Sequence, residues 1–524
     1  MGSISTEDTT LNPALRAPRL RPPQPQKRSI RRIAQPARVG ALYHPKHGLA
    51  IAAVQISIQS CGSRPTSRKL TARENVVMSG GSQVSASADE TINVMPTKSF
   101  FVDMLIRDIP LERAVLDLVD NCIDGAKRLR DAGEQNYDDL KVKIEMDDQG
   151  FAIVDNCGGF SIDTAKNYAF RFGRPDRSRD TPFSIGQFGV GMKRALFKFG
   201  RSFTVLSTTA NERWSVDVDV DEWEKTPSWS FSFTRHETGL SVPEEDQGTE
   251  IRVSRLRPEV SIKFGSSSFK RTLGEMLRTH QRQFIANGLS IQFEGSSLSA
   301  TDLKLLTGTV SPAVDTYEDS LQGQETVMVR IVAGVGISDP QSAGWYVVCN
   351  GRVVLAADRT EETGWGQVAE QRPEIPKYHN QYARFRGVAY FDCRDAGRLP
   401  WNTTKTGIDS DNPVWRRTLE RMVIMTRSVI DFLNEVDAEI STQGREGPLL
   451  KALSSGTAQQ AEVLRQPRAF TPPDKTRFSA PPRRTIAYSR PLEQIEALMD
   501  HLGLNSAKAV GEETFDEAYR KIEG

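Results

Sequence analysis

Residues 112–126 read ERAVLDLVDNCIDGA, and this stretch decides the fold of the chain. Apolar side chains recur in it at steps of three and four residues, which predicts the buried face of an amphipathic helix: Val115, Leu118, Val119, Cys122 and Ala126. Asp117, Asn121 and Asp124 follow the same spacing on another face, so their polar side chains lie side by side. A surface helix often carries such a polar face, so its meaning depends on the segments that follow it.

Three glycine-containing segments follow this helix: DNCGGF at 155–160, GQFGVGMKRA at 186–195 and GTEIRV at 248–253. Any one of them is a weak signal by itself. The four segments in this order resemble the nucleotide site of the GHKL ATPases, a superfamily that includes DNA gyrase B, the large heat-shock chaperones, histidine kinases, MutL and the MORC proteins. Among these proteins, the four segments are most similar to those of the MORC and MutL proteins.

The resemblance implies an α+β chain in which a Bergerat-type α/β sandwich at residues 96–257 binds ATP. Alternating apolar residues predict strands at 140–148 and 150–156, and further strands through 202–256. Helices on one side of a mostly antiparallel sheet would form this sandwich.

A smaller α/β domain is expected at 258–440, where a strand at 289–295 and several later strands precede a long amphipathic helix at 415–436. Two segments there, CNGRVV (349–354) and LPWNTTKTGID (399–409), are similar to an Asn-Gly-Arg turn and a lysine-bearing loop of the transducer domain in MutL, gyrase B and MORC proteins. The resemblance therefore implies a transducer-like domain after the ATP-binding domain.

The remaining segments differ in composition from these two domains. Residues 1–95 are rich in Arg, Pro and Ser and are expected to be disordered, 441–490 to form a linker, and 491–524 to form a helical segment. Residues 1–77 hold 13 Lys and Arg but three Asp and Glu, which leaves the rest of the chain mildly acidic. The basic segment fits a tail for anionic surfaces, a transit peptide, or an overextended start with Met78 as the initiator, and we favour the last.

The resemblance assigns the polar face of the first helix to a metal ion and to the attacking water. Asn121 stands where the family has its Mg²⁺ ligand, and an amide oxygen suits a hard cation that keeps several waters. Asp117 stands where the family has the Glu that polarises the water, and it is shorter by one methylene group. Asp117 is the predicted base of a slow hydrolysis, and Asp124 is a further predicted nucleotide-binding residue.

The glycine-containing segments supply the expected contacts to adenine and phosphate. Asp155 ends an apolar strand and would accept the adenine amino group, while Thr249 matches the family's Gly-Thr pair. Glycines let the backbone approach a ligand and leave N–H groups for phosphate. The other positions predicted to bind nucleotide are Gly158, Gly159, Gly186, Gln187, Phe188, Gly189, Val190, Gly191 and Lys193. Cys157 departs from the family's DxGxG pattern, which has a glycine there.

Lys405 is the candidate from the second domain. A lysine in a loop is most often solvated, but the resemblance implies a transducer lysine that reaches the γ-phosphate of ATP across the domain boundary. We expect it to arrive when the second domain closes onto bound ATP, and we count it with Asp117 as catalytic.

The prediction from these residues is a Mg²⁺-dependent ATP-binding protein and slow ATPase that acts as a nucleotide-gated switch or clamp. The alternative is an ATP-binding signalling or chaperone-like protein without significant hydrolysis. A histidine kinase is disfavoured because none of the six histidines has the expected acidic neighbour and helical dimer motif. An ATP-dependent homodimer and a protein or DNA client are left open as partners.

Cysteine content and hydropathy bear on the compartment. Five cysteines without a CxxC pair predict free thiols in a reducing compartment, and we expect a cytoplasmic protein. The most apolar run, at 49–58, is shorter than a membrane span requires.

Overall fold

The computed structural model describes residues 95–130, 134–171, 181–186, 189–367, 375–444, 447–474 and 486–523. The disorder expected for 1–95 falls almost entirely outside the described residues. The described residues belong to one compact unit, Ile92–Gly524.

Helices and strands are numbered in chain order. The α-helices are α1 Lys98–Arg107, α2 Leu111–Arg128, α3 Ile162–Thr164, α4 Gly191–Phe199, α5 Val220–Lys225, α6 Pro258–Phe264, α7 Ser267–His280, α8 Arg282–Ala286, α9 Pro413–Gln443, α10 Pro448–Ser454, α11 Leu492–Leu502 and α12 Ala507–Glu523. The strands are β1 Lys141–Met146, β2 Gly150–Asp155, β3 Gly200–Thr208, β4 Glu212–Asp219, β5 Arg235–Thr238, β6 Gly248–Leu256, β7 Ser290–Phe293, β8 Ser296–Ser297, β9 Lys304–Thr307, β10 Ala313–Asp319, β11 Val327–Val335, β12 Gly344–Cys349, β13 Arg352–Asp358, β14 Phe385–Asp392 and β15 Thr457–Gln460.

The first sheet has the order β5-β4-β3-β6-β2-β1-β7-β8 and is antiparallel except for the β1–β7 pair. The helix predicted from the opening stretch is α2, which packs against α4 and is buried along most of its length. Its apolar stripe joins the core side chains of β1 and β2. This arrangement of helices and a mixed sheet confirms the predicted α+β class.

The first sheet extends beyond the boundary predicted at residue 257. After α6, α7 and α8 the chain returns to the sheet, and Ile291 of β7 lies opposite Val142 of β1. Ile291 and Phe293 are buried in the first core. The strand predicted at 289–295 for the second domain therefore belongs to the first sheet. Its alternating apolar residues pack beside β1, on the side that β2 does not occupy.

Secondary structure within 202–256 is also less regular than predicted. Strand β4 ends at Asp219, whose side chain accepts hydrogen bonds from the N–H groups of Asp221 and Glu222 and so caps α5. This N-cap replaces the continuous strand that the alternating Val and Asp residues suggested.

The second sheet has the order β10-β11-β14-β12-β13. Helix α9 covers one face, where Trp345 Nε1 donates to Thr426 Oγ1 at 3.1 Å. The opposite face carries a separate apolar cluster that includes Val332, Val388, Ala461 and Leu464. Residues from the chain beyond α9 therefore form part of this core.

The linker expected at 441–490 is thus partly structured, in contrast to the prediction. Strand β15 pairs with β9, and the bridges Ser311–Thr471 and Val314–Arg468 continue that contact. This segment is rich in Pro and Arg, which suggested a linker. It also contains a few apolar residues that are buried in the structure. At the C-terminus α11 and α12 form the expected helix pair.

Among the helices that the structure describes, none combines the length and apolar character needed to cross a membrane.

Candidate functional site

A cavity of about 430 Å³ opens between α2, α4, the end of β2 and the start of β6. This volume is in the range of pockets that hold small molecules and cofactors. Residues predicted as site residues line it from both predicted domains: Asp117, Asn121, Asp124, Asp155, Gly159, Gly186, Gly189, Val190, Gly191, Lys193, Thr249 and Lys405. Gly158 lies in the same turn as Gly159, and Gln187 and Phe188 lie outside the described residues.

Asp155 lines the cavity from the last position of β2. Its Oδ1 accepts the backbone N–H groups of Cys157 at 2.8 Å and Thr249 at 3.2 Å. Burial raises the pKa of Asp155, and hydrogen bonds from Cys122, Cys157 and Thr249 oppose that rise. Both backbone donors hold the carboxylate in one orientation, with its side chain on the cavity wall.

The turn after Asp155 requires glycine for two reasons. Gly158 and Gly159 have φ of +82° and +61°, in the left-handed region that other residues rarely adopt. A Cβ on Gly159 would also overlap the carbonyl oxygen of Thr208. Cys157 is buried and does not have positive φ, so the side chain at this departure from the DxGxG pattern fits the turn without strain.

The loop before α4 lies directly on the polar face of α2. The two oxygens of Asp124 accept the N–H groups of Ile185 and Gly186, each at 2.7 Å. A Cβ on Gly186 would come within 3.2 Å of Asn121 Oδ1, and one on Gly191 within 3.1 Å of Asp117 Oδ2. Glycine therefore permits close approach to the α2 carboxylates, and Asp124 positions the loop through its backbone.

The two cations at the start of α4 have different surroundings. Lys193 Nζ donates to the carbonyl oxygen of Ala169 at 2.7 Å and to that of Gly189, so it ties the loop to the π-helical turn Ala165–Ala169. Arg194 Nη2 reaches Asp117 Oδ2 at 3.3 Å, and both side chains line the cavity. Of these two neighbours at the start of the helix, the resemblance had favoured Lys193 over Arg194 as the phosphate contact.

Lys405 lines the cavity from the loop between β14 and α9. Its Nζ lies 2.8 Å from Asp120 Oδ2 and 3.7 Å from Asp117 Oδ1. Residue 405 has φ of +52°, and its loop is held by the side-chain oxygen of Asn402, which accepts the N–H of Thr406 at 3.0 Å. The lysine thus contacts α2 in this structure, and its arrival on closure stays a prediction.

Comparison with known proteins bears directly on this cavity. Residues 109–249 match the family model described as histidine kinase-, DNA gyrase B-, and HSP90-like ATPase. This segment is a GHKL ATPase domain. The match confirms the predicted superfamily, and it covers α2, the glycine turn, the loop before α4 and Thr249. A search of curated proteins finds none with significant similarity to the chain.

Asn121 lines the cavity with an amide oxygen suited to a hard cation, and this oxygen lies beside the glycine loop. The described residues contain no group of three or more His, Cys, Asp or Glu that could hold a metal ion. Mg²⁺ in nucleotide sites commonly takes one or two protein oxygens, with phosphates and waters as its other ligands. The residues present therefore fit Mg²⁺ bound together with a nucleotide.

Asp120 is the residue of the GHKL domain that sequence reasoning missed. It is fully buried and accepts hydrogen bonds from Gln281 Nε2 at 2.9 Å, Arg352 Nε at 2.8 Å and Lys405 Nζ. Burial alone would raise its pKa, but Arg352 and Lys405 outweigh that effect and lower the pKa to about 2.

A signal for this residue was present in the sequence. Asp120 follows Leu116 by four residues and precedes Ile123 by three, so it shares the buried face with them. A carboxylate on a buried helix face needs a cationic or hydrogen-bonding partner.

Proposed function

We propose that this chain is a Mg²⁺-dependent ATP-binding protein and a slow ATPase that works as a nucleotide-gated switch or clamp. One observation carries the proposal. A single cavity is lined by Asp155, by the Asp117–Lys405 pair, by Asn121 and by the glycine loop. These are the groups that adenine, the metal ion, the phosphates and the attacking water require.

ATP would lie along the cavity with its adenine amino group donating to Asp155. The backbone N–H groups of the loop at 189–191 and the positive end of α4 would face the phosphates. Asn121 would be the protein ligand of Mg²⁺, which supplies charge neutralisation on the phosphates.

Hydrolysis would depend on Asp117 and Lys405. Asp117 is buried on the cavity wall, where its carboxylate can accept a hydrogen bond from a water near the terminal phosphate. The ammonium group of Lys405 would stabilise the negative charge on the transferring phosphoryl group. Because Lys405 belongs to the second domain, loss of that phosphate would change a contact between the domains.

A second candidate is nucleotide binding without significant turnover. It is favoured by the environment of Asp117, which lies 3.3 Å from Arg194 Nη2 and 3.7 Å from Lys405 Nζ. Both cations lie close to the carboxylate oxygens and so compete with a water molecule for them. An ATP-dependent homodimer and a protein or DNA client are proposed from the resemblance alone.

Thermal unfolding with and without Mg-ATP tests the proposal. A ligand at about 100 times its dissociation constant adds about 2.7 kcal/mol to the free energy of unfolding. We expect a clear increase in Tm for the parent chain and none for Asp155→Asn, which replaces the adenine acceptor by an amide. Asp500→Asn on exposed α11 is the matched control and should keep the increase. A parent chain whose Tm does not respond to Mg-ATP would contradict the proposal.

A further inference from the structure

Three buried groups from separate parts of the chain form a closed ring beside the cavity. Asp120 of α2 binds Arg352 Nε at 2.8 Å and Lys405 Nζ at 2.8 Å through its two oxygens. Arg352 Nη1 in turn donates to the backbone carbonyl of Lys405 at 3.3 Å. The ring therefore fixes both the side chain and the backbone of the lysine against α2.

The backbone of Lys405 needs such support. A φ of +52° is uncommon for a residue other than glycine, and the surrounding structure must hold it. The side chain of Asn402 braces one side of this turn, and Arg352 braces the other at the carbonyl of Lys405 itself. The position of the ammonium group is thus determined by contacts at both ends of the residue.

The ammonium group of Lys405 lies at different distances from two carboxylates. Lys405 Nζ lies at hydrogen-bond distance from Asp120 Oδ2 but 3.7 Å from Asp117 Oδ1. Arg352 and Lys405 would both lose their shared counter-charge if Asp120 were neutral, and a buried charge without a partner is costly. Asp117 is the nearest carboxylate to which the lysine could then move.

We infer that Asp120 is a positioning residue that holds the Lys405 ammonium group at the phosphate end of the cavity and away from Asp117. The inference rests on the proposed function, because it assigns Lys405 to the terminal phosphate of ATP. Without Asp120, Lys405 moves toward Asp117. That movement takes the ammonium group away from the phosphate, and it also pairs the lysine with the carboxylate that orients water.

The opposite role makes the opposite prediction. If Asp120 only competed with phosphate for the lysine, then removing its charge would free Lys405 and strengthen the preference for ATP over ADP. If Asp120 positions the lysine, the same change weakens that preference. The ratio of the two dissociation constants, measured by isothermal titration calorimetry with Mg²⁺, therefore decides between the two roles.

The experiment compares the full chain with Asp120→Asn, Asp120→Glu, Lys405→Ala and the Asp120→Asn/Lys405→Ala double variant. Asp120→Asn and Lys405→Ala should each lower the ATP-over-ADP preference by about tenfold, with the affinity for ADP nearly unchanged. The double variant should match Lys405→Ala, because the two residues act as one unit. Turnover should fall by about 100-fold in Asp120→Asn, as expected when a reacting group is displaced by about 1 Å.

Asp120→Glu tests the position of the carboxylate separately from its charge. It keeps the negative charge but lengthens the side chain by one methylene group, so the ammonium group is displaced while its counter-charge remains. We expect it to lose ATP preference and turnover as well, and the same two measurements apply if Asp120→Asn does not fold. An unchanged or increased ATP preference in the folded variants, or independent effects in the double variant, would overturn the inference.

Asp319→Asn is the matched control for loss of a buried carboxylate. Asp319 is buried in the second domain and binds Arg398 at 3.1 Å and Arg417 at 2.7 Å. Its replacement should lower Tm but leave the ratio of ATP to ADP affinity unchanged, whereas a changed ratio would indicate that any loss of stability produces the effect. A parent chain that binds ATP without hydrolysing it would remove the ATPase proposal while the affinity test of Asp120 still holds.

Discussion

Asp117 lies between two cations that approach from different elements. Arg194 on α4 contacts Oδ2 at 3.3 Å, and Lys405 of the second domain lies 3.7 Å from Oδ1. The carboxylate is therefore fixed in direction but is only loosely paired with the lysine. A group held in this way can orient a water molecule even though it is shorter than the Glu of related ATPases.

Asp117→Asn should lower steady-state turnover by about 100-fold or more, because the amide cannot accept the proton of the attacking water. ATP binding should persist, since this group does not hold adenine, and calorimetric titration beside the ATPase assay would show both effects. Glu112→Gln, five residues earlier on α2, is the control and should keep parental turnover. Full activity in Asp117→Asn would mean that the base lies elsewhere.

His280 is a buried histidine at the end of α7, next to the ring around Asp120. Its Nε2 lies 3.3 Å from Arg113 Nη1, and its Nδ1 contacts the carbonyl of Val353. Burial and the nearby charges of Arg352 and Arg113 lower its pKa to about 3, although Asp120 opposes this shift. The folded protein therefore holds a neutral imidazole well below the pH at which an unfolded chain would protonate it.

This shift predicts a loss of stability in mild acid. The unfolded chain takes up a proton at His280 near pH 6.5 and the folded chain does not, so the contribution is complete above pH 6.5 and declines as pH falls toward 3. From pH 7 to pH 5 the free energy of unfolding should fall by about 2 kcal/mol on this account. Urea unfolding of the parent and of His280→Asn at several pH values would measure this fall. Equal slopes of the free energy of unfolding against pH in the two chains would contradict its assignment to His280.

The placement of residues on the cavity was predictable where the family motif fixes it, and less so where tertiary contacts do. Asp117, Asn121 and Asp155 line the cavity as their motif positions suggested. The choice between Lys193 and Arg194 could not be made from spacing, because it depends on which side of α4 faces α2. Asp120 was missed because its partners are 161, 232 and 285 residues away in the chain.

At the scale of elements, the backbones of β2 and β6 come close together beside Asp155, on the wall of the cavity. Asp155 pairs with Thr249 across this contact, and a Cβ on Gly248 would overlap the Asp155 carbonyl oxygen. The glycine before Thr249 is thus required by the packing of two backbones. Its φ is not positive, so the requirement is purely steric.

Gly248→Ala should destabilise the fold by about 1–3 kcal/mol and abolish the Tm increase with Mg-ATP, because the added methyl group pushes β6 away from Asp155. Gly511→Ala in α12 provides the comparison, since a Cβ there meets no atom within 4 Å. It should be neutral or stabilising by about 0.5–1 kcal/mol, as for other helix-interior glycines. Equal melting curves for the two variants would refute the steric account.

The elements with strong periodicity were predicted correctly in type. Residues of α2, β1, β2, α4 and β6 form the helices and strands that their patterns indicated. The alternating pattern of apolar and polar residues predicted the wrong structure at α5, where the side chain of Asp219 caps a helix that begins at Val220. It also could not assign β7 to a sheet, because the pattern shows that one face is buried but not which strand lies beside it.

At the scale of the whole molecule, the chain after α9 contributes unequally to stability. Glu439 of α9 accepts the N–H groups of Leu449 and Leu450 and so caps α10. Arg330 of β11 donates to the carbonyl oxygens of Ala461 and Leu464, which cover the second sheet. By contrast, most side chains of α11 and α12 are exposed.

Two shortened chains should therefore behave differently. A chain that ends at Asp474 loses α11 and α12 and should keep the parental Tm and ATP binding. A chain that ends at Gly444 also removes the buried side chains of Leu449, Leu453 and Leu464, each worth about 1.5–3 kcal/mol, and should lose about 5 kcal/mol of stability. Calorimetric melting of both chains tests this, and a low Tm for the longer one would contradict it.

The position of β7 has a practical consequence for the ATP-binding half on its own. A fragment that ends at residue 257 would lack the strand that pairs with residues 141–144, so β1 would become an edge strand with free N–H and C=O groups. Ile144 would also lose its neighbour Phe293. An exposed edge strand can recruit strands from other molecules. Such a fragment should self-associate and precipitate, while one that continues through Ser297 should stay monodisperse in gel filtration.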